Sequence, residues 1–217
     1  MKPSVLKYTL LVVLSVLCSA PQSLHASPIL FENFTTATVG LDVTTAGLFS
    51  TINGTNVDVV GGSNFGSLCS GPESGNCVDM AGSGGNPLGQ LELTTPLNLA
   101  AGVYDLSFDL IGSQRGQASS TTVKFGSYSQ TFILASNDLT SGVVVNLPVT
   151  IAGGLTQLEF INNGDGGNSN VGALLDNVSI DSGTQSSPSP IPEPATLGLL
   201  ATGLVGIVDA VRRRLAG

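Results

Sequence analysis

The 217-residue chain has no tryptophan, one histidine and two methionines, and only 10% of its residues are charged. The histidine, His25, falls in an N-terminal stretch that reads as a removable leader. The mature chain then holds no imidazole for a catalytic triad, a zinc site or a proton shuttle. Without tryptophan it lacks the most effective platform for stacking a sugar ring, and only Tyr104 and Tyr128 remain of the tyrosines once the leader is gone. Bases are as scarce as aromatics. Between Ser27 and Gln185 the only ones are Arg115 and Lys124 against thirteen acids, 2 − 13 = −11, a balance that argues against nucleic acid or anionic lipid as a partner. Lys, Glu, Arg and Met, the good helix formers, are few, whereas Thr, Val, Ser, Asn and Gly abound. The expected fold class is therefore all-β.

What the chain does have is concentrated at its ends. The opening MKPSVLKYTLLVVLSVLCSAPQSLHA carries Lys2 and Lys7, an apolar run from Tyr8 to Leu17 and then small residues. That order is the layout of a secretory signal peptide, with cleavage expected after Ala26. At the other end, Pro192, Glu193 and Pro194 cannot continue a helix backwards, because proline lacks an amide hydrogen and clashes with the preceding turn. Residues 195–211 are apolar except for Asp209 and would form a helix of roughly 25 Å, a minimal membrane span. Arg212, Arg213 and Arg214 follow at once and would hold that end on the cytoplasmic side, leaving the body across the membrane.

The sequence Pro-Glu-Pro, apolar helix, arginine cluster resembles the PEP-CTERM sorting signal of exported bacterial proteins. The resemblance implies recognition by an exosortase, an integral-membrane processing enzyme, and an association with extracellular polysaccharide. It also implies a route: transient anchoring in the inner membrane with the body in the periplasm, then delivery to the cell surface or extracellular matrix. Asp209 departs from the pattern, since a carboxylate in lipid is costly; lying one turn before Arg212 and Arg213, it is placed to pair with them. An ordinary uncut C-terminal anchor is the alternative, although such an anchor has no need of the triplet.

The chain thus divides into a signal peptide (1–26), one β-sandwich domain (27–180), a Ser/Pro linker (181–190) and the tail (191–217). Within the body, Ile29 to Phe34 reads as a first strand, and Leu48 to Ile52 with Val57 to Val60 reads as a hairpin about Asn53-Gly54. Alternation is clearest from Gly102 to Ile111, with Tyr104, Leu106, Phe108 and Leu110 on one face and Asp105, Ser107 and Asp109 on the other. It returns in Val123/Phe125, Phe132/Leu134, Val143/Val145/Leu147/Val149, Leu158/Phe160 and Leu174 to Ile180. Half-buried strands separated by Gly, Asn and Ser turns mean two packed sheets. Cys69 and Cys77 are an even pair in an oxidising compartment and predict a disulfide across a Gly/Ser/Pro-rich loop. The opening LFENF and closing GALLDNVSI resemble the terminal strands of carbohydrate-binding-module-like jelly rolls, the galactose-binding-like fold.

Few residues invite chemistry. Asp176 shares the parity of Leu174, Val178 and Ile180 and so is expected to face the core, where a carboxylate needs a partner. The jelly-roll resemblance implies side-by-side terminal strands, often bridged by calcium, which makes Glu32 and Asp176 candidate ligands of a structural Ca²⁺. The alternatives are backbone amides as partners, or a bulge that turns Asp176 outward. Tyr128, with Phe65 in the glycine-rich loop, is the candidate exposed surface for a ligand. The pairs Asp105/Asp109 and Asp79/Glu92 have the composition of a glycosidase dyad, but acids on wet strand faces form such pairs by chance. The expected function is therefore a non-enzymatic surface or matrix protein, structural or adhesive. A polysaccharide-binding module is the alternative and a carboxylate-based hydrolase the remote one.

Overall fold

The computed structural model describes residues 28–183 apart from 63–64, 66, 71, 73–74, 85–87 and 165–169, together with Arg214. The expected signal peptide (1–26), most of the expected Ser/Pro linker and the membrane helix expected over 195–211 lie outside the described residues. Among those described, no helix is long and apolar enough to cross a membrane.

Among the described residues fifteen strands build the body, and every pairing between them is antiparallel. The first sheet runs in the order β12 (Val144–Ile151), β9 (Gly102–Ile111), β15 (Leu174–Ser182), β6 (Cys77–Asp79), β5 (Val57–Val60), β2 (Gly40–Val43), with β1 (Leu30–Glu32) also paired to β15. The second runs β11 (Tyr128–Leu134), β10 (Ser119–Phe125), β14 (Leu158–Asn162), β7 (Gln90–Leu93), β4 (Phe49–Thr51), β3 (Thr45–Ala46). A small ladder joins β8 (Leu97–Leu99) to β13 (Gly154–Thr156). The chain passes from one sheet to the other at β2–β3, β4–β5, β6–β7, β9–β10, β11–β12 and β14–β15, and through the small ladder between β7 and β9 and between β12 and β14, wrapping the two as a jelly roll. The expected all-β sandwich is the fold observed.

Phenylalanine does between the sheets what tryptophan would do elsewhere. Phe108 of the first sheet meets Phe160 and Phe132 of the second edge-to-face, with ring centroids 5.5 and 5.6 Å apart, and Phe160 meets Phe49 at 5.8 Å. These separations suit the ring quadrupoles, and each such pair adds about 1 kcal/mol to the area buried. A second, smaller core lies on the outer face of the first sheet. Val60, Cys77, Ile111 and Leu174 are buried there beneath Leu68, Cys69 and Leu139. The Cys69–Cys77 disulfide therefore does more than close a loop: it folds the glycine-rich segment back over the sheet and caps its outer surface. Shortening the unfolded chain's loop in this way contributes about 2–3 kcal/mol.

Three expectations need correction. Leu48–Ile52 and Val57–Val60 do not form a hairpin: β4 pairs with β3 and β7 in the second sheet, and β5 pairs with β2 and β6 in the first. Asn53 and Gly54 do adopt positive φ, but their turn carries the chain around the corner of the sandwich. The alternation through Val143, Val145, Leu147 and Val149 breaks because the β12–β9 register shifts between Val144 and Leu147, at Asn146 with φ 51°. Val145 is left exposed while Val144 and Leu147 pack against the core. Lastly, β15 runs to Ser182, and the amide of Gly183 donates to the carbonyl of Val103, so the domain reaches past residue 180 into what reads as linker.

Phe160→Ala is expected to cost about 3–5 kcal/mol, read as a fall in the denaturant midpoint at unchanged slope, because the cavity would lie where two sheets meet. Phe31→Ala, on the exposed face of β1, should change stability by no more than about 0.5 kcal/mol.

Candidate functional site

Glu32 and Asp176 do not come together. On β1, Leu30 and Glu32 are buried and Phe31 is exposed, so Glu32 faces the space between the sheets. Its Oε1 accepts the amide of Phe34 at 2.7 Å and its Oε2 the amide of Leu48 at 2.8 Å, which pins the β3–β4 turn of the second sheet to the first strand of the other. Gly47 in that turn has φ 56°, and a Cβ there would sit 2.1 Å from Oε2, so the glycine is required by the carboxylate.

Asp176 lies on the opposite face. Leu175, Val178 and Ile180 belong to the main core, Leu174 to the outer one, and the β15–β9 register shifts between Asp176 and Ser179. The extra residue is Asn177, with φ 50°, and it breaks the shared parity read from the sequence. Asp176 is fully buried all the same, its Oδ1 accepting the amide of Asn177 at 2.7 Å. Asn177 donates to Oδ2 of Asp109 at 2.8 Å and to the carbonyl of Pro72 at 3.3 Å, tying the bulge to the disulfide-bearing loop. Among the described residues, no group of three or more His, Cys, Asp or Glu side chains is gathered as a metal ligand set.

The two aromatic candidates also lie apart. Phe65, 57% exposed, stands in the loop over the first sheet, while Tyr128 sits at the edge of the second. Tyr128 is half-buried against the core, its hydroxyl donates to Oε1 of Gln130, and burial pushes its pKa up. Asp79 and Glu92 fall on different sheets, and Asp105 and Asp109 lie along β9 with separate cross-strand partners. Of the tail, only Arg214 is described, exposed and helical; Pro192, Glu193, Pro194, Arg212 and Arg213 lie outside the described residues.

The strongest electrostatics occur where sequence reasoning saw only a wet carboxylate. Asp79 is 1% exposed on β6, opposite Asp58 of β5 in the ladder. Its Oδ1 accepts the amide of Ala81 at 3.0 Å, and its Oδ2 pairs with the Arg115 guanidinium reaching in from the β9–β10 loop. Burial outweighs that pairing and raises the Asp79 pKa to about 7, with Asp58 pushing the same way. Asp58 in turn accepts the amides of Asp42 and Ser83 and the hydroxyl of Ser83, and Asp42 accepts the amide of Gly84. These acids organise loops.

A cleft of about 550 Å³ opens at the end of the second sheet. The Lys124–Glu159 ion pair (3.4 Å), Ser127 and Thr150 line it, with Ile151 and the exposed Leu155 as its apolar part. Gln157 shapes the wall by donating to the carbonyl of Leu93. Its volume is that of a small-molecule site, and its lining mixes donors, acceptors and aliphatic surface.

Residues 190–214 match the PEP-CTERM protein-sorting motif, so the chain is one sorted for export to the cell surface. None of the curated protein sequences matches the chain. Among solved structures, the body is similar to the exo-β-1,3-galactanase of Phanerochaete chrysosporium (16% identity, TM-score 0.36, covering 71% of this chain and 29% of that one). It is also similar to the K3 adhesin domain of Lys-gingipain from Porphyromonas gingivalis (18%, TM-score 0.46, 72% and 100%). A family 35 carbohydrate-binding module from Clostridium thermocellum gives 14%, TM-score 0.40, 72% and 99%. The chain thus spans under a third of the galactanase, and likenesses this distant carry no functional assignment.

The Asp79 carboxyl gives a pH test. Its folded pKa of about 7 exceeds the ordinary 3.8, so between these values the folded state holds a proton that the unfolded state has lost. The resulting stability is fully present below the unfolded value and drains away as pH rises through about 7. Melting should occur at a higher temperature at pH 5.5 than at pH 8, and Asp79→Asn should remove most of that difference; a wild type more stable at pH 8 would contradict the assignment.

Proposed function

We propose that the protein is an exported cell-surface or matrix component, processed at its tail by an exosortase-type membrane enzyme. Its sandwich acts without catalysis, as a structural or adhesive body in contact with extracellular polysaccharide. The match of residues 190–214 to the sorting motif supports this reading, since the motif follows a body whose last strand ends at Ser182. The composition of the body supports a role without turnover: it contains no histidine, and its buried carboxylates hold backbone amides and loops.

A second reading, a true polysaccharide-binding module, is favoured by the cleft at Lys124 and Glu159. Its mixture of polar and aliphatic lining suits a hydroxyl-rich ligand, and Tyr128 follows the lining residue Ser127 in the chain. Weak contacts of this kind become useful when many copies are displayed together.

Glu193→Ala is the direct test of sorting. Cell fractionation should show the variant held in the membrane fraction with its tail uncut, whereas unchanged processing and surface delivery would remove the reading. For the cleft, retardation of the surface protein in gels containing the cells' own extracellular polysaccharide should be lost in Glu159→Ala and in Tyr128→Ala; retardation equal to the wild type would exclude it.

A further inference from the structure

Among the described residues the two long sheet orders end on four strands, with the three-residue β1 paired to β15 off the path, and three of the four end strands are blunted in ways that prevent another strand from adding. β3 is two residues long. β2 breaks its ladder between Gly40 and Val43 at Asp42, a charged residue with φ 54°. β12 breaks its ladder at Asn146 and carries Pro148, which has no amide hydrogen to offer.

β11 has none of these protections. Its seven residues, Tyr-Ser-Gln-Thr-Phe-Ile-Leu, pair with β10 in an unbroken register, contain no charge, proline or glycine, and have no strand on their outer side among the described residues. Ile133 on this edge is 78% exposed.

We infer that β11 is a docking edge for a second copy of the same chain, joined antiparallel about a twofold axis through Thr131. The backbone geometry fixes which groups meet. A two-residue turn at Gly126-Ser127, with Gly126 at φ 56°, makes Phe125 and Tyr128 a hydrogen-bonded pair. By the antiparallel alternation, Tyr128, Gln130, Phe132 and Leu134 then turn their amides and carbonyls toward β10, while Ser129, Thr131 and Ile133 turn theirs outward. With the axis at Thr131, the two outward-facing sets coincide: Thr131 meets its twin, and Ser129 meets Ile133 in both directions.

Side chains agree with that register. Thr122 and Thr131 already share a hydroxyl bond of 2.8 Å, and pairing at Thr131 continues it as a row of four threonines across two copies. In the neighbouring row, Glu159, Lys124 and Ser129 lie side by side, so each copy presents Ser129 to the apolar Ile133 of the other and no like charges are opposed.

Charge also selects this edge. Two bodies of −11 repel, and an uncharged strand whose nearest ionised neighbours are a Lys124–Glu159 pair is where that repulsion is least. The inference does not depend on polysaccharide binding or on how the tail is processed.

Cysteine cross-linking of the full chain on the cells that export it tests the proposal. Thr131→Cys should give a covalent dimer on mild oxidation, seen in non-reducing gels, and Val145→Cys on the blunted β12 edge should give none. No dimer from Thr131→Cys, or equal yields from both positions, would overturn it. Sedimentation of the full-length protein in detergent supplies a second readout, in which Thr131→Lys, at an exposed position, should weaken association at least tenfold without lowering the melting temperature. A wild type that stays monomeric at about 100 μM, or a lysine variant that associates as tightly as wild type, would count equally against it.

Discussion

The last strand of the body is also its centre. β15 pairs with β9 along one side, and along the other with β6 through its first half and β1 through its second. Each of those three strands completes its ladder only when β15 has joined, so the fold closes only when nearly the whole body is present. The β1–β15 pairing, Leu30 opposite Ile180, also brings the two ends of the domain together. Eleven residues, 184–194, lie between the last described residue of the domain and the apolar run that begins at Ala195.

Around this strand the interior is assembled from modest parts. Phenylalanines meeting edge-to-face join the two sheets, and buried carboxylates act as fasteners between them and their loops. Glu32 is the clearest example: buried in the core, it is satisfied by two amides, one of them from a turn in the opposite sheet. An acid that accepts backbone hydrogen bonds in this way needs no cation, because the amides supply the charge-assisted bonds a carboxylate requires. Asp79 differs, since burial there defeats even an arginine, and its raised pKa marks it as the point where pH reaches the fold.

Strand existence was legible in the sequence, because alternation in β9, β10, β14 and β15 follows directly from one buried and one exposed face. So were the disulfide, from two cysteines closing a short loop, and the tail, from the order of its three parts. The face of Val145 was not legible, and that of Asp176 only as an alternative, the outward bulge with a backbone amide as partner, for one reason. At Asn146 and Asn177 the backbone enters the left-handed region and a bulge inserts one residue, after which every side chain changes face; a period of two has no means of registering that slip. Asparagine tolerates that conformation, so the residue type was a signal, though one shared with ordinary turns. Asn53-Gly54 shows the converse: the residues of a hairpin turn, used to pass between sheets. Nor could the second core be read in advance, because Leu68, Cys69, Leu139, Ile111 and Leu174 meet only once the disulfide-bearing loop folds over the first sheet.

The central claim is that a single cooperative sandwich is locked by its final strand. Native-state hydrogen exchange on the full-length protein, resolved by segment, tests it most directly. Amides of β15 should exchange only by global unfolding, together with those of β9 and no faster than those of β10 and β14. A β15 that exchanges through local opening while the second sheet stays protected would contradict the account.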